Sequence, residues 1–86
     1  MPYELVLPAP FSAQWRVKIR DKERLEPPHV TIIRGTDSWR LGLRDGRFMD
    51  PQPPEREVPR ALLAHVELNW ELLKSAWNEM YPMNPV

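Results

Sequence analysis

The chain contains no cysteine, which excludes a disulfide framework, a thiolate metal site and a cysteine nucleophile. That absence suits a reducing compartment, and a cytoplasmic location is expected. No stretch approaches the length of a membrane span. No basic start followed by a long apolar run marks a signal peptide, so no membrane association is expected. Charge of one sign is missing too: Lys plus Arg and Asp plus Glu number 12 each, which denies the whole chain a polyelectrolyte character. The three glycines, Gly35, Gly42 and Gly46, follow no phosphate-loop pattern. The two histidines, His29 and His65, stand far apart among scattered carboxylates, with no ligand spacing. No metal and no cofactor is expected. Internal repeats and low-complexity tracts are absent as well.

What remains is one domain, residues 1–86, with a modest core. Its 11 prolines fall between periodic segments and punctuate a folded chain. The organising stretch is 59–80. Leu62, Val66, Trp70, Leu73, Trp77 and Met80 recur at spacings of three and four, the period of one helix face. Pro59 fits a first helical turn and Pro82 marks the stop. The spacing predicts a single long C-terminal helix followed by a tail, 81–86.

Ahead of the helix lie an N-terminal arm, 1–13, and a run of strands, 14–50. Leu5, Val6 and Leu7 between Pro2 and Pro8 make either a short edge strand or a segment packed on the helix. Trp15, Val17 and Ile19 alternate with polar neighbours, as do Val30 and Ile32, and then Trp39, Leu41 and Leu43. Asp21 to Pro28 reads as a charged loop and Arg34-Gly35-Thr36-Asp37 as a turn. Asp45-Gly46 is a two-residue hairpin signal. It predicts Arg44 opposite Arg47, Leu43 opposite Phe48, and a short further strand. The expected fold class is α+β: a three- or four-stranded antiparallel meander packed against one long helix. A six-residue strand spans only about 20 Å, so Trp77, Met80 and Tyr81 should overhang the sheet and need the arm, the tail or another subunit to cover them.

Two surfaces follow from the same periods. The alternation sends Arg16, Lys18, Arg20, Arg40, Arg44 and Arg47 to the outer face of the sheet, where they would hold phosphates or an acidic partner. The plain alternative is a solvated face of a sheet covered on one side. A second helix seam, Ala61, His65, Leu68, Leu72 and Ala76, lies away from the main stripe. Ala61, Leu68, Leu72 and Ala76 form the expected interface with a second copy or a cognate protein partner, unless the arm covers them in cis. The four tryptophans, Trp15, Trp39, Trp70 and Trp77, all fall on inward positions and read as core, with room for one at a rim.

His29 is the one candidate for catalysis, as a general acid or base beside the basic face, in the manner of a small ribonuclease. A lone histidine without a positioned partner is weak evidence, and the favoured reading is that His29 opens a strand after Pro28 and caps a backbone group. His65 is expected to pack at the flank of the helix.

The run Glu26-Pro27-Pro28-His29-Val30-Thr31 resembles the Pro-Pro-His-x-His signature of a family of small bacterial proteins of unknown function, some encoded beside toxin–antitoxin-like genes. The likeness extends through a hairpin and a Pro-preceded, Trp- and Leu-rich helix, from about His29 to Trp77. It implies a strand-then-helix domain, no settled activity and a protein partner. Thr31 stands where the family has its second histidine. A His pair at i and i+2 would share one face of a strand; that pair is lost here. The leading expectation is therefore a protein-interaction component of a toxin–antitoxin-like pair. The alternative is a nucleic-acid binder or ribonuclease using the basic face and His29.

Overall fold

The computed structural model describes residues 3–21 and 25–86; residues 22–24 of the expected charged loop, and 1–2 of the arm, lie outside that set. Four strands, β1 (Tyr3–Leu5), β2 (Trp15–Ile19), β3 (His29–Arg34) and β4 (Asp37–Gly42), precede two helices, α1 (Arg60–Leu68) and α2 (Trp70–Met80). The sheet is an antiparallel meander in the order β1-β2-β3-β4, and the fold is α+β as its sequence period implies. The arm supplies the edge strand: Tyr3 pairs with Ile19 and Leu5 with Val17.

The alternation puts Val17, Ile19, Val30, Ile32, Trp39 and Leu41 on one face of the sheet. They form a single buried cluster with Leu62, Val66, Leu73 and Trp77. Burying such side chains contributes roughly 1.5–3 kcal/mol each. Trp15 and Trp39 pack at 5.6 Å between ring centroids. The Arg34 guanidinium lies 5.2 Å from the Trp15 ring and is held by Glu57 (2.8 Å) and Asp37 (3.2 Å). Gly35, at φ 60°, turns the chain between the paired Arg34 and Asp37, a conformation in which a Cβ is disfavoured.

Two expectations are corrected. The long helix is two helices. The Asn69 amide donates to the Val66 carbonyl (3.0 Å), while its side-chain Nδ2 donates to the His65 carbonyl (2.9 Å). An asparagine side chain thus takes the acceptor that the helical backbone would use, and the helix breaks there.

The Asp45-Gly46 turn is wider than two residues. The Gly42 amide donates to the Arg47 carbonyl (2.8 Å) and Leu41, not Leu43, lies opposite Phe48. Leu43 is drawn out of the ladder because its side chain is fully buried and its amide donates to the Pro28 carbonyl (2.9 Å). Asp45 Oδ1 accepts from the Arg47 amide (3.0 Å) and sits 2.7 Å from where a Cβ on Gly42 would be, so a side chain at 42 would displace the Asp45 carboxylate from that bond. The further strand shrinks to a bridge at Phe48.

Trp70 is only half-buried, whereas Trp39 and Trp77 are buried. It sits one residue beyond the helix break, at the rim of the stripe. The overhanging end of α2 is covered by the tail. Trp77 Nε1 donates to the Asn84 carbonyl (2.7 Å), Asn84 Nδ2 donates to the Glu26 carbonyl (2.7 Å), and the Tyr81 hydroxyl donates to the Arg20 carbonyl.

Candidate interaction surface

The outer face of the sheet differs from a row of free cations. Arg16 and Lys18 on β2 and Arg40 on β4 do share it, as their pairing with Ile33 and Thr31 of β3 requires. Arg20 follows β2, and Arg44 and Arg47 belong to the loop after β4, so the structure does not gather all six onto the strands. Arg44 turns to the tail and donates to the Pro85 carbonyl (2.8 Å).

Two of the cations are held by carboxylates. Glu4 on β1 accepts from Arg16 through both oxygens (3.0 and 3.1 Å), and this hydrogen bonding holds the Glu4 carboxyl below its ordinary value. Asp50 accepts from Arg40 in a fork, Nε at 2.8 Å and Nη2 at 2.7 Å. Glu26 takes Nη1 at 2.5 Å. Such two-pronged pairs fix a guanidinium in place. The hydrogen bonds from Arg40 hold the Asp50 carboxyl down and raise the guanidinium. The alternation shows where these cations point. It says nothing of Glu4, Glu26 and Asp50, because their approach depends on how an arm and two loops fold back. The only available signal was the presence of carboxylates in each flanking segment.

Thr31, flanked across the sheet by Lys18 and Arg40, is 2% exposed. The aliphatic stems of long cationic side chains cover such a position. Its Oγ1 has no hydrogen-bond partner among the described residues. His29 is fully buried. Its Nδ1 donates to the Pro27 carbonyl (2.8 Å), and its ring centroid lies 5.5 Å from that of Trp77. Pro28 is buried too. Pro27, Pro28 and His29 therefore work here as a structural joint between the strand, the Leu43 loop and α2. A ring with no exposed surface offers a substrate no access.

The second helix seam is divided. Ala76 is buried in the core cluster beside Leu73 and Trp77 of the same helix, a correction to its place on an interface, since a buried methyl group has no surface to offer a partner. Ala61 is exposed, Leu68 is 84% exposed and Leu72 49%. Among the described residues the arm meets the seam where His65 Nε2 donates to the Val6 carbonyl (3.1 Å), and Leu68 stays exposed. Val6 itself is exposed. Ala61, Leu68 and Leu72 thus form, with Val6 at the margin, an outward apolar strip in which no charged side chain intervenes on the line from Ala61 to Leu72.

On the other flank of the helices a groove of about 470 Å³ runs over Leu41, Phe48, Leu63 and Trp70, with Arg44, Asp45 and Glu67 at its rim. Among the described residues no group of His, Cys, Asp or Glu is placed to hold a metal ion, and no helix is long and apolar enough to cross a membrane. Compared with protein-family models, curated proteins and solved structures, the chain matches none.

Proposed function

We propose that this domain works by binding another protein through the outer side of α1 and α2. The observation that carries this reading is the exposure of Leu68 and Leu72 on a helix pair whose opposite side already buries Leu62, Val66, Leu73 and Trp77. Contiguous apolar surface on a folded domain marks a contact site. The resemblance in the Pro27–Thr31 run extends the proposal to a cognate partner in a toxin–antitoxin-like pair. The competing phosphate-binding reading relied on six cations on one face, and Arg16 and Arg40 are engaged by carboxylates of the same chain.

A photo-activatable amino acid in place of Leu68, at native expression in the host, tests the proposal. A single protein should cross-link from position 68 and none from Arg56, a second exposed site. Equal labelling at both positions, or none at either, would refute the reading.

A further inference from the structure

We infer that residues 84–86 of the tail are a peptide ligand bound in cis. They fill a site for a segment of the form Asn-Pro-apolar, which a segment of a partner protein enters when the tail leaves. The site lies apart from Leu68 and Leu72 and goes beyond the reading above.

Three elements meet around the tail. α2 supplies Trp77 and Asn78, the loop after β4 supplies Arg44, and the Glu26–Pro28 loop supplies a backbone carbonyl. Together they read three consecutive residues, mostly through the main chain. Trp77 Nε1 donates to the Asn84 carbonyl (2.7 Å), Arg44 Nη2 donates to the Pro85 carbonyl (2.8 Å), and the Val86 amide donates to Asn78 Oδ1 (2.7 Å). Any peptide carries these main-chain groups in the same order, so the site is matched to a peptide and not to this tail alone.

The side chains add the selection. Asn84 Nδ2 donates to the Glu26 carbonyl (2.7 Å), a bond that an ionised aspartate has no proton to make. Proline suits the middle position, having no amide N–H to satisfy. Val86 packs half-buried against the core cluster.

The run is held in a way that lets it leave. Pro82, Met83 and Pro85 are exposed, Met83 at 96%, and Asn84 and Val86 are half-buried. A segment fastened by polar bonds at the margin of a fold, with little apolar burial, opens locally without global unfolding. The floor does not depend on it. Trp77 packs on Tyr81 with ring centroids 4.3 Å apart, and the Tyr81 hydroxyl donates to the Arg20 carbonyl, which pins the end of α2 ahead of the run. The Asn84 amide donates to the Tyr81 carbonyl (2.9 Å), so a turn through Pro82 and Met83 lays 84–86 back on α2. So short a tether gives the tail a high local concentration. The site is therefore mostly closed, and the apparent affinity for a segment in trans falls with the open fraction.

The test uses the full-length chain throughout. The probe is a fluorescently labelled peptide of residues 81–86, Tyr-Pro-Met-Asn-Pro-Val; a second peptide carries aspartate in place of its asparagine. Asn84→Asp in the chain removes the bond to the Glu26 carbonyl and loosens the tail. In an anisotropy titration this variant should bind the asparagine peptide at least about tenfold more tightly than the unaltered chain does. It should bind the aspartate peptide at least about tenfold more weakly than the asparagine one. Equal affinity of the variant and the unaltered chain, equal affinity for the two peptides, or no binding by the variant would each overturn the inference. So would an Asn84→Asp chain that no longer folds, since the tail would then be a fixed part of the core. Hydrogen exchange on the unaltered chain gives a readout that needs no variant. The Trp77 indole N–H should exchange at least about tenfold faster than the Ile32 amide in the middle of the sheet. Equal rates would mean that the tail opens only when the whole domain unfolds, and would also overturn the inference.

Discussion

The two outward faces of this two-layer domain have exchanged the roles that their composition suggests. The outer face of the sheet is rich in cations and looks made for a ligand, yet two of them, Arg16 and Arg40, are engaged by the chain's own carboxylates, from Glu4 on the arm and from Glu26 and Asp50 on loops. The outer face of the helices carries leucines that look made for burial, yet no element of the described chain lies over Leu68. The difference teaches that coverage is set by which segments return to a face. The arm pairs with β2, the 47–50 segment runs beside β4, and the tail folds under Trp77. Among the described residues all three are engaged elsewhere, and Leu68 is left exposed with Leu72 half-covered.

The layer between the faces is the reference against which both are judged, so the largest effect is expected there. Trp77→Ala should destabilise the fold by about 3–5 kcal/mol in a denaturant melt, because a fully buried ring and the tail anchored on its Nε1 are lost together. Trp70→Ala, at the half-buried rim, should cost clearly less. Equal losses at the two positions would mean that the break at Asn69 does not separate them.

Opening the sheet face comes next. Arg40→Met removes the fork to Asp50 and the bond to Glu26. The pair is part-exposed and screened by solvent, so the loss is expected to be about 1 kcal/mol. The same contact predicts a pH effect of definite sign. The folded-state Asp50 carboxyl is held below its unfolded value, so its contribution is fully present above the unfolded value and is lost as pH falls through the folded one. Acid melts of the unaltered chain should therefore decline more steeply below about pH 4 than those of Arg40→Met. Parallel acid profiles would show that the fork does not persist in solution.

A smaller change of opposite sign is expected at the centre of the same face. Thr31→Val keeps the shape and removes the hydroxyl that lacks a partner, and should raise stability by up to about 1 kcal/mol. A loss instead would mean that Oγ1 is hydrogen-bonded in solution. The smallest effect belongs to the other face. Leu68→Ser with Leu72→Ser should alter stability by no more than about 0.5 kcal/mol. A large loss would show that the two leucines are buried within the chain, and the contrast between the faces would collapse.

Much of the architecture was legible from local pattern. The alternation through Trp15–Ile19, Val30–Ile32 and Trp39–Leu43 named side chains that are all buried. The three- and four-residue spacing of Leu62, Val66, Leu73 and Trp77 named the fully buried side of the helices. Asn69 was the legible clue to the break, being a residue whose side chain competes with its own backbone. It lay inside a strong apolar period, and the period hid it. The turn at Asp45-Gly46 misled for a related reason. The dipeptide favours a tight hairpin, but burying Leu43 and bonding its amide to Pro28 outweighs that local preference. His29 and Thr31 fall on the polar phase of their strand, which alternates with Val30 and Ile32. Their burial depends on neighbours from β2, β4, the Glu26–Pro28 loop and α2.

The sequence by itself determined the strands, the helical stripe and therefore the fold class, because each rests on a period that a few adjacent residues carry. Tertiary structure decided which cations are neutralised, which histidine is buried, and which apolar seam is left open. Those outcomes depend on the return of the arm, the 47–50 segment and the tail across distances of many residues. A local period records which way a side chain points and carries no information about what comes back to meet it.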